Sequence, residues 1–258
     1  MMNDELLRHF FSLEGRRGIV TGASSGIGLA VASLLADAGA TVYNLSRSER
    51  YDQTQDYPVN PGIIHIQTDL NDPEQTRNNI EKITTEGPLD FLINNAGITS
   101  RVKAEEVTPE WWRQIHALNV DAPFLISQCC FSALKNSSHI GRIVNISSMA
   151  AHLGFSEVSP YCSTKAAIAG MTRALAVEWA SQNILVNAVA PGWIKTNMTS
   201  TVADPERLQK ILNRMPLHRY GHARNELATA VWFLVSDAAK YITGQEIAVD
   251  GGALSYGF

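Results

Sequence analysis

The stretch "GIVTGASSGIGLAVASLLADAG", residues Gly18–Gly39, decides the fold. Gly18–Gly22 is a short apolar run that ends in glycine, as a buried strand entering a turn does. From Ile27 the apolar residues recur at helical spacing until Gly39 stops them. Strand, glycine turn and helix in direct succession present free backbone N–H groups to an anion, normally a pyrophosphate. Gly22 suits the tight turn, Gly26 a close backbone approach, and Gly28 close packing of helix on strand.

The same alternation continues outward from this unit. Short apolar runs at 40–46, 62–70, 89–97, 141–148, 184–192 and 244–252 read as strands, each with its following turn. Longer stretches at 72–87, 108–134, 160–182 and 224–237 read as helices. Asp72 and Pro73 look like a cap and first helical residue, with Gly87 as the stop. Strands alternating with helices predict an α/β fold. The expected form is a doubly wound (Rossmann) parallel sheet of about seven strands with helices on both faces, in one domain over 1–258. Two segments break the rhythm. Residues 46–62 carry Pro58 and Pro61 and no helical stripe, so a loop stands where a crossover helix is expected. Residues 197–224 read as a polar helical insertion, and the candidate substrate lid spans roughly 193–222.

Composition narrows the function classes. The chain has 258 residues, of which 45% are hydrophobic, enough for a substantial core. A net charge of -4 argues against nucleic acid and anionic membrane as partners. Cys129, Cys130 and Cys162 show no disulfide or metal spacing, which suits free thiols and a cytoplasmic protein. Asp4 and Glu5 stand early and no long apolar stretch follows, so no signal peptide is expected; nor does any apolar run reach membrane-spanning length. His218 and His222 are four apart, but Pro216 and Gly221 disfavour a helix and no third ligand stands with them; no metal site is expected. Cys162 has no base beside it and reads as a small packed side chain.

A second stretch carries the chemistry. In "SPYCSTKAAIAG", Ser159–Gly170, Ser159 and Pro160 look like helix cap and first position. Tyr161 then lies in the first turn, and Lys165 one turn further on the same face. An ammonium about 5 Å from a phenol, at an effective dielectric near 20, favours phenolate by roughly 3 kcal/mol. That predicts a Tyr161 pKa near about 8 before desolvation is counted.

With these motifs the chain resembles the short-chain dehydrogenase/reductase family over roughly residues 12–252. The resemblance is carried by T-G-x-x-x-G-x-G at Thr21–Gly28, "NNAG" at Asn94–Gly97, Asn119 in "LNV", Ser148 thirteen residues before Tyr161, Y-x-x-x-K at Tyr161–Lys165, and "PGWIKT" at Pro191–Thr196. It implies an NAD(P)-dependent oxidoreductase with Asn119, Ser148, Tyr161 and Lys165 as catalytic residues. Tyr161 would be general acid/base, Ser148 would hold the reacting oxygen, and Lys165 would tune the phenol and bind the nicotinamide ribose. Asn119 would kink its helix and support a proton path. The implied cofactor contacts are Gly22, Ser24, Ser25, Gly26, Ile27, Gly28, Ser46, Arg47, Ser48, Asp69, Leu70, Asn95, Ala96, Gly97, Val120, Tyr161, Lys165, Pro191, Gly192, Ile194 and Thr196. Asp69 matches the family's adenine contact and also reads as a helix cap. The expected assembly is a homotetramer, with a homodimer as the alternative.

The end of the second strand selects the dinucleotide. Where family members that prefer NAD carry Asp, this chain has Ser46, followed by Arg47 and Ser48. A guanidinium fork pairs with a 2′-phosphate, so NADP(H) is favoured over NAD(H). Ser25 in place of a second basic residue, and Glu49 nearby, leave NAD(H) open. The C-terminal half looks like sugar-acid and polyol dehydrogenases of the family, such as gluconate dehydrogenases. The implied reaction interconverts a secondary alcohol and a ketone or aldehyde of a small polar substrate. Ser148, His152, Glu157, Tyr161 and Trp193 are the expected substrate contacts. A 3-oxoacyl-thioester reductase is the alternative within the family. A silent dinucleotide-binding sensor or scaffold is the alternative outside enzymes, against which all four catalytic residue types stand.

Overall fold

The structure is a computed structural model, and it describes residues 4–52, 54–196, 199 and 205–256. Seven strands form one sheet: β1 (Arg17–Thr21), β2 (Thr41–Ser46), β3 (Ile64–Gln67), β4 (Phe91–Asn94), β5 (Gly141–Ile146), β6 (Ile184–Pro191) and β7 (Glu246–Val249). Their order is β3-β2-β1-β4-β5-β6-β7, and each adjacent pair is parallel. This is the expected doubly wound sheet. The winding reverses beside β1, between its neighbours β2 and β4, and such a switch point opens a crevice at the carboxyl ends of the strands.

Every residue of β4 and β5 is buried, because helices cover both faces. On one face α2 (Gly26–Asp37) packs beside α8 (Thr229–Val235), joining Leu29, Val31, Leu35, Leu227, Val231 and Leu234 in one core. On the other face lie α3 (Pro73–Thr85), α5 (Ala122–Lys135) and α6 (Ser159–Trp179). Asp72 caps α3 as its sequence indicates, accepting from Glu74 and Gln75 N–H at 3.0 Å each.

Several elements differ from expectation. An amphipathic α1 (Asp4–Phe11) precedes the sheet, held by the Trp232 indole N–H donating to Phe11 O at 2.9 Å. The long helix over 108–134 is α4 (Pro109–His116), a π-helical turn (Ala117–Asp121) and α5. Together they form a 27-residue apolar helix, Pro109–Lys135, long enough to cross a membrane by length and composition alone. The sequence run looked too short because polar residues interrupt it, and here it packs on the sheet and on α3 and α6. α6 begins one residue early, with Val158 rather than Ser159 at the cap. The last helix opens with a π turn, Ala223–Ala228.

The crossover from β2 to β3 is irregular, as expected. It is pinned by Asn60 donating to Asp37 at 2.6 Å and by the Asp56–His222 pair at 3.1 Å. Of the insertion, residues 197, 198 and 200–204 lie outside the described residues. Its described part contains α7 (Pro205–Asn213). Its ends meet in an isolated parallel bridge, Ile194 to Gly221, with Lys195 N–H donating to Gly221 O at 3.0 Å.

Candidate active site

The glycine turn is shaped by what touches it. Gly22 has φ +66, and a Cβ there would sit 3.0 Å from the Ala96 backbone. A Cβ on Gly28 would meet Gly22 O at 2.5 Å and Asn95 Nδ2 at 2.4 Å. The Asn95 amide is what lies there: it donates to Thr21 O at 2.9 Å and Gly22 O at 3.3 Å. Thr21 Oγ1 in turn accepts from Asn95 and Ala96 N–H, both at 3.0 Å. The β1 and β4 ends are thus stapled together beneath the turn. Ser25 occupies the N-cap of α2 but makes no side-chain capping bond, so the first-turn donors near Ile27 and Gly28 are left for an external acceptor. Thr196 faces Gly26, 3.5 Å from where its Cβ would be, and Ser24 O accepts from Asp52 N–H at 2.9 Å. This uncapped cradle fits a dinucleotide pyrophosphate.

At the end of β2, Ser46 is buried and its hydroxyl donates to Ser48 O at 3.1 Å, coiling the chain so that Arg47 is exposed. Among the described residues the Arg47 guanidinium forms no ion pair. Asp69 is not the α3 cap, which is Asp72; its carboxylate instead accepts from Asn71 N–H at 3.0 Å beside buried Leu70. Val120 lies in the π turn, half-buried. At the β6 end, a Cβ on Gly192 would meet the Asp250 backbone at 2.5 Å, so this glycine is needed for chain packing as well as for any ligand approach. Gly192 N–H donates to Val249 O at 3.0 Å, which fixes the turn after Pro191.

Four polar residues converge at the β5 end. Ser148 follows β5 and caps a short 3₁₀ turn, its Oγ accepting from Ala150 N–H at 3.1 Å. Its hydroxyl also stands beside the Tyr161 phenol, near enough to favour the phenolate. Lys165 is 5% exposed, donates to Ile146 O at 2.7 Å, and lies 5.5 Å from the Tyr161 ring centre. Asn119 is buried in the π turn, where the extra residue per turn aims its amide inward. It exchanges two 2.9 Å bonds with the Ile98 backbone and donates to Thr164 Oγ1 at 3.2 Å. Gly97 allows this closeness, since a Cβ would come within 3.1 Å of Asn119 Oδ1 and 3.8 Å of Lys165 Nζ.

Electrostatics correct one expectation. Burial raises the Tyr161 pKa above its ordinary value of 10.0, and the nearby Ser148 hydroxyl only partly opposes it. Burial lowers Lys165 to about 8. Desolvation dominates both groups in the free protein, and the group that lowers the phenol is Ser148, not the expected Lys165 ammonium.

The expected substrate contacts are placed differently from one another. Glu157 has φ +68 and pairs with Arg101, while Val102 N–H donates to Glu157 O at 2.8 Å. His152 pairs with Glu246 at the start of β7. Trp193 lines an open cavity of about 460 Å³ with Met215, Leu217 and Asp250. His218 and His222 face different partners, Leu212 O at 3.2 Å and Asp56 at 3.1 Å. Sequence reading missed the Thr21–Asn95 staple and the Arg101–Glu157 pair. "NNAG" signalled the first, because a polar side chain directly after a buried strand needs a partner.

Known proteins match this geometry. The family described as "Enoyl-(Acyl carrier protein) reductase" matches residues 22–253. A 2-dehydro-3-deoxy-D-gluconate 5-dehydrogenase of Bacillus subtilis (strain 168) is 38% identical, over 96% of this chain and 98% of that protein. A 3-oxoacyl-(acyl-carrier-protein) reductase of Escherichia coli (strain K12) is also 38% identical, over 93% of this chain and 98% of that protein. Among solved structures, a gluconate 5-dehydrogenase of Burkholderia cenocepacia J2315 in complex with NADP and tartrate superposes with a TM-score of 0.88. It is 32% identical and covers 97% of this chain and 99% of that one.

Proposed function

The chain belongs to the short-chain dehydrogenase/reductase family of NAD(P)-dependent oxidoreductases, and on that premise we propose that it interconverts a secondary alcohol and a ketone or aldehyde of a small polar substrate, with Tyr161 as general acid/base. The observation that carries this reading is the placement of Ser148 beside the Tyr161 phenol, with buried Lys165 5.5 Å from its ring, at the carboxyl end of β5. Ser148 holds the substrate oxygen against the phenol. In reduction Tyr161 gives its proton to the carbonyl oxygen; in oxidation it takes the hydroxyl proton back. Lys165 holds a positive charge beside the phenol and favours phenolate as the proton leaves. Asn119 keeps the Ile98 backbone and α6 together and lies on the path by which that proton is replaced. When bound, the dinucleotide supplies or accepts the hydride at the substrate carbon. The Gly22–Gly28 cradle, Asn95–Gly97 and Pro191–Thr196 hold it in place, so catalysis rests on positioning.

NADP(H) is the favoured cofactor. Exposed Arg47 supports it, as does the NADP bound in the related gluconate 5-dehydrogenase. A sugar acid is the favoured substrate class, because the first of these relatives acts on a deoxygluconate derivative by its name. The equal identity to the thioester reductase supports a 3-oxoacyl thioester as the second reading. A homotetramer in the cytoplasm completes the proposal. Exposed Trp112, Phe124 and Val177 on α4, α5 and α6 offer apolar surface for assembly.

The test is a spectrophotometric screen of NADP(H) and NAD(H) turnover on sugar acids, polyols, simple ketones and 3-oxoacyl thioesters. NADP-linked turnover of a sugar acid is the expected result. Turnover confined to thioesters would move the substrate to the second reading, and no turnover with any pair would leave only dinucleotide binding.

A further inference from the structure

A buried chain of hydrogen bonds runs one layer below the active site. Ser127 on α5 donates to Pro123 O at 2.7 Å and accepts from Asn94 Nδ2 at 3.1 Å. Asn94, the last residue of β4, also donates to Asn145 Oδ1 on β5 at 2.9 Å. Asn145 Nδ2 donates to Thr172 Oγ1 on α6 at 2.9 Å. All four side chains are at most 4% exposed. None touches the reacting groups, and the mechanism above does not use them.

We propose that Thr172, acting with Asn145, Asn94 and Ser127, is a positioning residue that fixes where α6 sits along the sheet and so where Tyr161 stands relative to Ser148.

Beyond Lys165, whose ammonium reaches Ile146 O in the active site, α6 meets the sheet through Leu175, Ala176 and Trp179, and apolar contact is non-directional, so it resists sliding weakly. A hydrogen bond near 2.9 Å is lost when its partners shift by about 1 Å. Apolar residues of similar shape would stabilise this layer as well as buried amides do. The chain is also not maximised for stability, since Asn94 Oδ1 is buried with no partner. What it adds is register. Asn119 already ties the π turn to Thr164 on α6. Ser127 stands eight residues after Asn119, and Thr172 eight after Thr164. Two rungs at equal spacing therefore join the α4–α5 helix to α6, the upper one in the active site and the lower one through β4 and β5. Lys165 and Thr172 share a face of α6 and both reach β5.

The inference rests on Tyr161 being the acid/base, so Tyr161→Phe is assayed beside Thr172→Val, Thr172→Ser and Ser127→Ala in the full-length protein. Thr172→Val is expected to lower kcat about ten- to a hundredfold with cofactor affinity unchanged. It is also expected to move the pH dependence of alcohol oxidation upward, because Ser148, no longer held beside Tyr161, ceases to lower the phenol's pKa. Thr172→Ser restores both. Should Thr172→Val fail to bind cofactor, Ser127→Ala carries the test with the same direction of change. A Thr172→Val or Ser127→Ala protein that loses thermal stability but keeps kcat and the pH profile overturns the proposal. If that protein keeps kcat while Tyr161→Phe is inactive, only the positioning role falls. If Tyr161→Phe turns over normally, the acid/base reading falls and takes this inference with it.

Discussion

Tyr161 and Lys165 lie one helical turn apart, and burial moves them in opposite directions, the phenol up and the ammonium down to about 8. The Y-x-x-x-K spacing made their contact legible; the sign of the phenol shift was not, because desolvation depends on what α6 packs against. Alcohol oxidation needs the phenolate, so its kcat/KM is expected to rise through the alkaline range while carbonyl reduction falls; pH–rate profiles in both directions check this. Lys165 also costs stability. Its folded pKa lies below its unfolded value of 10.5, so the penalty is fully present below about pH 8 and fades as pH rises toward 10.5. Lys165→Met relieves about 3 kcal/mol at pH 7, offset by about 1.5–3 kcal/mol for the charged bond lost from Ile146 O. The variant is expected to lose turnover yet melt no lower than the unaltered protein, which calorimetry of the cofactor-free protein reads. Arg47→Ala is expected to cut NADP affinity about ten- to a hundredfold and leave NAD affinity unchanged, measured by titration of each dinucleotide.

At the scale of elements, strands and turns were the most legible, because buried strands read as apolar runs and glycine marks the turns. The glycine turn shows both the reach and the limit of that reading. Its three glycines announced close approach, but the atoms approached, Asn95 Nδ2 and Gly22 O, belong to another strand end and to the turn itself. Gly28→Ala is accordingly expected to destabilise the protein by about 1–3 kcal/mol and to weaken cofactor binding, seen as a lower melting temperature and a weaker dinucleotide titration. The π turn around Asn119 was legible only as an awkward asparagine in a helix. Its cause is tertiary: the Ile98 backbone and Thr164 together outbid regular helix geometry. The α1 helix escaped notice because its short amphipathic stretch gains its order from Trp232, more than two hundred residues away.

For the whole molecule, alternation of strands and helices sufficed to place the cleft, since the topology forces a switch point beside β1. The substrate pocket was less legible. Its candidate walls, Glu157, His152 and Trp193, have partners that no local spacing encodes: Arg101, Glu246 and the turn near Asp250. Assembly belongs to this scale as well. Exposed Val177 on α6 and Phe124 on α5 are expected to be covered in a tetramer, so Val177→Glu with Phe124→Glu is expected to shift the mass seen by light scattering to a smaller species. The proposed reaction turns on one proton. Its most direct test is turnover of the Tyr161→Phe protein with the best substrate of the screen, beside a cofactor titration of the same preparation. The predicted result is a protein that still binds cofactor, with turnover reduced by about a hundredfold or more; turnover equal to that of the unaltered protein would contradict it.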